Sequence, residues 1–377
     1  MTKRRGNNEG TIRKRSDARW EGRVTLDDGK KKCFYGKTRQ EVARRLAEAL
    51  RDKEQGMPIV GERQTIKQFL LAWLESIKPV VRPQTWVYYE CFVRLHIIPI
   101  LGKTTLSKLT AQQIQLLYSK KLKEGLSSSS VHHLHATLHK ALSNAVRLSL
   151  VQRNVADLVD PPRMARHDYV TLSSEDARKF LMEASTDRLE ALYVLALTTG
   201  MRRGELLGLR WKDVDLDRGS LQVKQILQEV NGNLIFSEPK TDQSRRKVML
   251  ANVAVEALQR HLVKQNEERL VLGPVWDDSF ALVFPNTIGR PFSPGNLVQR
   301  EYAPMLKKAG VPNIRFHDLR HTAATLLLEA GIHPKVVSEM LGHSHVSITL
   351  GVYSHVTPAM HRAAAAAMDI ILVADDE

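Results

Sequence analysis

The stretch from Arg315 to Tyr353, RFHDLRHTAATLLLEAGIHPKVVSEMLGHSHVSITLGVY, limits the possible folds more than any other part of this 377-residue chain. His317 and Arg320 stand three apart in a segment of helical spacing, so both side chains fall on one face. Pro334 and the run to Leu341 predict a second short helix, closed by Gly342 in a C-cap position. His343 follows at once, and Tyr353 lies one more short helix away. A His, an Arg, a His and a Tyr brought onto one wall form a phosphate pocket with a phenolic nucleophile beside it. Upstream, TTGMRRGELLGLRW adds Arg202 and FSEPKTDQSRRKVML adds Lys240.

This ordered set resembles the tyrosine recombinase (phage integrase) family, whose pattern is an Arg after a Thr-Gly turn, a Lys on a hairpin, His-x-x-Arg, Leu-Gly-His and a Tyr. Here those positions are Arg202, Lys240, His317 with Arg320, His343 and Tyr353. The resemblance implies that Tyr353 attacks a DNA phosphodiester. A free phenol, with a pKa of about 10, needs help to do so at neutral pH. Arg202 and Arg320 are expected to meet the charge on the non-bridging oxygens with paired hydrogen bonds. His317 is the expected proton acceptor for Tyr353, His343 a donor to the phosphate, and Lys240 the acid for the leaving 5′ oxygen. Glu205 is expected to brace Arg202. The family's product is a 3′-phosphotyrosine bond and a free 5′ hydroxyl, so no cofactor, metal or ATP is implied.

Neighbouring residues compete for these assignments. Arg203 stands beside Arg202, and Arg245, Arg246 and Lys247 stand near Lys240; the family pattern selects Arg202, and Lys240 by its place before Thr241. His317 and His321 are four apart, as zinc ligands can be, but the Glu of a His-Glu-x-x-His site is missing. His345 reads as peripheral.

Charge is uneven along the chain. The formal excess is +15, yet residues 1–165 hold 31 Lys and Arg against 15 acids, while residues 166–377 hold 25 against 26. Lys and Arg spread only for solubility would not be so segregated, so a polyanion gripped mainly by the N-terminal regions is implied. Cys33 and Cys91 are far apart and suggest neither a disulfide framework nor a zinc site. No run approaches the length of a membrane span and no signal-peptide pattern opens the chain, so a cytoplasmic, nucleoid-associated bacterial protein is expected.

In chain order, GTIRKR, RWEGRVTL and KKCFYG read as three strands with Asp27-Asp28-Gly29 as a hairpin turn, followed by a helix from the cap Thr38 to Gly56. This segment resembles the arm-binding module of integrative-element integrases. Its candidate DNA contacts are Arg13, Lys14, Arg15, Arg19, Arg23 and Lys37, while Trp20 either joins them or packs between sheet and helix. Residues 57–64 read as a linker. From Thr65 the spacing turns helical, ending in a long helix from about Ser130 to Leu148 with Leu134, Leu138, Ala141, Leu142 and Ala145 facing its core. This part looks like the family's core-binding domain, with Arg82, Thr85, Arg94, Ser128, His132 and Lys140 as contacts. Its many histidines read as solvated helix-face residues, since no carboxylate or Cys partner stands at ligand spacing.

The expected fold is therefore multidomain α+β. A three-stranded sheet with one helix (residues 1–56) precedes an all-α core-binding domain (65–152) and, after a linker (153–169), a mainly α catalytic domain with a small antiparallel sheet (170–377). In the last, Ser173 or Ser174 caps a helix, Gly200 ends another, and strands near SLQVKQIL and NLIFSE join through Asn231-Gly232, with RRKVML a further strand. The Ala-rich end near 357–373 is expected to dock on a neighbouring subunit. The implied partners are double-stranded DNA and three further copies of this chain assembled on it, with room for a directionality factor and a DNA-bending protein, and no membrane. The leading function is an integrase of a prophage or mobile element. A chromosome-dimer resolvase, a type IB topoisomerase-like enzyme and a non-catalytic DNA-binding regulator remain alternatives.

Overall fold

The computed structural model describes residues 10–25, 29, 31–54, 64–164, 169–239 and 245–353, with residues 365, 366, 368, 369 and 372 beyond them. It divides into two units, residues 1–166 and 167–377, each taken here by itself.

In the first unit, β1 (Thr11–Lys14), β2 (Trp20–Thr25) and β3 (Lys31–Gly36) form an antiparallel sheet in which Arg13, Glu21 and Tyr35 lie side by side. Helix α1 (Arg39–Glu54) covers the opposite face, where Val24, Val42, Leu46 and Ala49 are buried. Gly22 allows this approach, since a Cβ there would lie 2.7 Å from Val42 Cγ1. The Thr38 hydroxyl accepts the Glu41 amide at 3.1 Å, as its cap position predicts. Of the expected turn, Asp27 and Asp28 lie outside the described residues, and Gly29 is left-handed at φ 79°. Trp20 is half-buried.

The helices that follow in this unit are α2 (Ile66–Ile77), α3 (Pro83–Cys91), α4 (Ile98–Leu101), α5 (Ala111–Lys123) and α6 (Ser128–Arg147). Thr65 and Thr110 open α2 and α5 with capping boxes. A π-helical turn, Phe92–Ile97, joins α3 to α4 immediately before Pro99. Proline cannot donate its amide and its ring crowds the preceding turn, so a wider turn at this point relieves both conflicts. The apolar side of α6 is the predicted one: Leu134, Leu138, Ala141, Leu142 and Ala145 are buried with Val131. Two expectations change. Residues 153–160 do not begin a free linker, because Asn154 caps a 3₁₀ turn (Val155–Leu158) and Ala156 and Val159 join the helical core. Nor are all the α6 histidines solvated: His135 Nδ1 lies 2.8 Å from the Tyr118 hydroxyl, whereas His139, 2.7 Å from Asp157, keeps 42% of its side chain exposed.

The second unit opens with α7 (Ser174–Ala184), capped by the Ser173 hydroxyl, and α8 (Glu190–Thr199). Helix α8 is buried at every residue but Thr198, as its almost unbroken apolar run requires. Helix α9 (Arg203–Leu207) follows, then β4 (Val214–Asp215), β5 (Ser220–Gln222), β6 (Ile226–Val230), β7 (Asn233–Ser237) and β8 (Lys247–Met249). The segment read as one strand, SLQVKQIL, is two. Its first half pairs with β4 and β8, and its second forms a separate hairpin with β7. Asn231 and Gly232 turn that hairpin with φ of 51° and 78°, the left-handed pair an Asn-Gly turn favours. Helices α10 (Asn252–Leu272), α11 (Pro294–Asn296), α12 (Ala303–Ala309), α13 (Asp318–Glu329), α14 (Pro334–Leu341) and α15 (Val346–Tyr353) complete the described unit. The result is the expected helix-rich, multidomain architecture with small antiparallel sheets. Among the described residues no helix is long and apolar enough to cross a membrane.

Candidate active site and nucleic-acid interface

Gly200 brings the pieces of the site together. It ends α8 in the left-handed region at φ 61°, and a Cβ built on it would lie 2.3 Å from Leu341 Cδ2 of α14. Its carbonyl accepts a 2.8 Å hydrogen bond from Arg320 Nη1 of α13. Arg320 is only 3% exposed, so this carbonyl fixes a guanidinium that is almost wholly removed from water. Two residues on, Arg202 sits at the N-cap of α9. Its amide donates to Glu205 Oε2 at 3.1 Å, its Nη1 to Glu205 Oε1 at 2.8 Å, and its Nη2 to the Gly342 carbonyl at 3.3 Å. Gly342 is the left-handed cap of α14, and His343 follows it. The two arginines are thus tied to backbone at the ends of α8 and α14, and His343 follows directly on the second of these.

Glu205 is buried, which alone would raise its pKa. The neighbouring Arg246 and Arg202 outweigh burial and hold the carboxyl below the ordinary glutamate value. His317 occupies the N-cap of α13, and its ring meets His321 edge-on at 5.2 Å. His321 in turn stacks on Tyr169 at 4.2 Å. Burial, then the arginines, push the His317 pKa down; burial, then His317, takes His321 to about 4; burial, then Arg320 and Arg202, takes His343 to about 4. All three imidazoles are therefore neutral at pH 7. His343 Nδ1 lies 2.8 Å from the hydroxyl of Thr349, which is fully buried in α15. A neutral His343 that accepts the Thr349 hydrogen at Nδ1 carries its own proton on Nε2.

Tyr353 is the last residue of α15; its side chain lies outside the described residues, as does the whole of Lys240. Arg202, His317, Arg320 and His343 are brought together, with Glu205 behind them. Arg203 is instead exposed, with Nη1 donating to the Pro294 carbonyl at 3.3 Å. His345 is exposed. Arg246, Thr349 and the place of Gly200 beside Arg320 and Leu341 are the additions a reading of the sequence misses. Only Gly200 leaves a signal there, as a helix-ending glycine; the other two are ordinary residues whose partners are remote in sequence. Such a wall offers a phosphodiester two fixed cations and an imidazole.

The N-terminal sheet carries a second cluster. Glu21, though in the middle of the charged face, is 1% exposed, because Arg13 at 2.6 Å, Arg23 at 3.1 Å and the Tyr35 hydroxyl at 3.3 Å close over it. The Arg13 hydrogen bond, against the opposing effect of burial and with help from Arg23, lowers its pKa to about 2. The Arg15 guanidinium lies 5.3 Å from the Tyr35 ring centre, and both Arg15 and Arg19 pair with Asp17. Lys14 and Lys37 are exposed. In the helical part, Arg82 is the exposed N-cap of α3 and Thr85 lies half-buried one turn on. Arg94 pairs with Glu90 at 2.6 Å, and Lys140 donates to the Tyr89 hydroxyl at 3.2 Å. Ser128 and His132, in the first turns of α6, are half-buried.

A helical bundle followed by a helix-rich unit with small antiparallel sheets is the architecture of multidomain tyrosine integrases. The Tn1549 transposon integrase, solved in complex with a circular intermediate DNA, superimposes with a TM-score of 0.70 at 23% identity over 81% of this chain and 99% of its own. Residues 170–360 match the phage integrase family, and residues 65–122 match the phage integrase N-terminal SAM-like domain. A tyrosine recombinase XerC-like protein of Caldanaerobacter subterraneus subsp. tengcongensis is 33% identical over 89% of this chain and 92% of its own length. The ICEBs1 integrase of Bacillus subtilis is 26% identical over 89% and 91%. The chain belongs to the phage integrase family: it is a tyrosine-type site-specific recombinase, an enzyme of DNA strand cleavage and rejoining.

Proposed function

We propose that the chain integrates and excises a mobile element by cutting and rejoining double-stranded DNA at two attachment sites, with Tyr353 as nucleophile. Tyr353 attacks phosphorus, the bond to the 5′ oxygen breaks, and a 3′-phosphotyrosine conserves the bond energy until the 5′ hydroxyl of a second strand attacks in turn. Arg202 and Arg320 take the non-bridging oxygens, His343 donates through Nε2–H, His317 accepts the phenolic proton, and Lys240 protonates the leaving oxygen. The observation that carries this reading is the meeting of Arg202, Arg320 and His343 around Gly200 and Gly342, with Tyr353 closing the next helix.

In the same reading the basic sheet face of residues 11–36 and the helices of residues 65–152 grip the duplex, and four copies assemble on two duplexes through the segment beyond Tyr353. A directionality factor and a DNA-bending protein would act on that assembly. The N-terminal sheet module favours an element integrase over a chromosome-dimer resolvase, the second reading that the XerC-like relative keeps in view. A demand for two matched sites separates either of these from a topoisomerase, which relaxes one duplex alone.

The test is covalent trapping. The protein is mixed in EDTA with nicked duplexes from the ends of its resident element, wild type beside Tyr353→Phe, with gel-shift binding as control. A denaturant-resistant adduct from wild type alone is expected. Binding by both proteins with an adduct from neither would leave the regulator reading in its place.

A further inference from the structure

Arg246 has no part in the scheme above, yet it is among the most enclosed cations of the second unit: its side chain is 7% exposed. Its Nη2 donates to Glu205 Oε2 at 3.0 Å and its Nε to the carbonyl of Met340 at 2.7 Å. The first acceptor is the carboxylate that holds Arg202. The second lies in the last turn of α14, two residues before the Gly342 carbonyl that receives Arg202 Nη2. Arg202, Glu205, Arg246 and the end of α14 therefore form one ring, closed at one side by Arg202 and at the other by Arg246. Neither guanidinium can shift without moving the shared carboxylate or the turn that leads into His343.

Resting on the recombinase reading, we infer that Arg246 is a positioning residue that sets Arg202 and His343 for the phosphate. It does so by clamping Glu205 to the carboxyl end of α14. Arg202 bonds both Glu205 oxygens, through Nη1 to Oε1 and through its amide to Oε2, but both of these bonds lie within the first turn of α9. Arg246 adds a second donor to Oε2 and ties that oxygen to the Met340 carbonyl of α14, and only a planar fork reaches a carboxylate and a carbonyl together. Arg246 also stands six residues after Lys240 in the chain, so an alternative route, through the placement of Lys240, has to be separated by experiment.

The full-length protein is used in single-turnover cleavage of a nicked attachment-site duplex. Arg246→Gln is expected to slow adduct formation about 100-fold, the scale of an ångström-level misplacement, with DNA affinity held within about threefold. Arg246→Lys keeps the charge but loses the fork and is expected to slow it about tenfold; it carries the test should the Gln variant fail to fold. The same variants are then given a substrate whose leaving 5′ oxygen is replaced by sulfur. There the P–S bond breaks to a thiolate that needs no proton, so Lys240→Ala, the reference, recovers. Arg246 variants that stay slow on the sulfur substrate support positioning of Arg202 and His343. Recovery of these variants would overturn the inference in favour of the Lys240 route, as would wild-type rates or a parallel loss of DNA binding. If wild type itself gives no adduct, the recombinase reading beneath the inference fails instead.

Discussion

Two buried glutamates in this chain each gather arginines, and they do so to different ends. Glu205 lies between Arg202 and Arg246, and both of those guanidiniums are also bonded to backbone carbonyls of α14. Glu21 lies beneath Arg13 and Arg23, whose side chains are 58% and 38% exposed. The first arrangement fixes charge against rigid helix ends. The second keeps charges near one another while leaving them in water, where the side chains can rearrange. A buried carboxylate is therefore a common device, and the company its arginines keep decides whether it serves precision or grip.

The sharpest way to break this contrast is to remove each carboxylate. Glu205→Ala strands Arg246 in the interior beside Arg202 and is expected to cost about 3–5 kcal/mol of stability, read from denaturant unfolding. A loss no greater than that of Glu21→Ala would erase the distinction. Next in size is Thr349→Val, which keeps the volume but removes the hydrogen that holds Nδ1 of His343. Adduct formation at pH 7 should fall about tenfold, the rate equivalent of one neutral hydrogen bond, with little change in melting. An unchanged rate would mean that the tautomer is set elsewhere.

Acid should separate the two regions as well. His317, His321 and His343 bind protons less readily folded than unfolded, so their contribution to stability is complete above the ordinary histidine value of 6.5. It is lost as pH falls towards about 4, where His321 and His343 take up protons. Glu21 contributes above its ordinary 4.5 and loses that only as pH falls towards about 2. Hydrogen exchange at pH 7 and at pH 5.5 should show amides of α13 and α14 losing protection while those of β1–β3 keep theirs. Equal losses would contradict the assignment. The smallest effect is expected from Glu21→Gln, which should weaken binding of arm-site DNA about threefold in a gel shift and leave core-site cleavage intact. A larger drop would show that the sheet face needs fixed geometry after all.

The split between what was and was not legible in the sequence follows the same physics. Helix ends are local events: Thr38, Ser173, Gly200 and Gly342 each announce a cap through their own backbone or hydroxyl preferences, and the structure uses them as such. The Asn231-Gly232 turn is equally local. Buried periodicity on α6 was legible because one apolar face needs no knowledge of its partner. The break between β5 and β6 was not, since SLQVKQIL has strand character throughout and only its neighbours assign the halves to different sheets. Arg246 read as one cation among three near Lys240, and Thr349 as one more residue of a short helix. Their meaning comes from Met340 and His343, brought to them by packing. The partner of His135 is hidden for the same reason, because Tyr118 is not its neighbour in the chain.

Gly200 bears no reactive group, and its contribution is an absence, the missing Cβ that lets Leu341 lie against the backbone. Every amino-acid replacement at this codon adds an atom there. One missense base change at this codon therefore places a Cβ at a strained left-handed position and against Leu341, while the side chains of Arg202, Arg320 and His343 keep their identities. A survey that compares only those side chains would miss such a change. This one glycine marks the difference between a site that is spelled out and a site that is assembled.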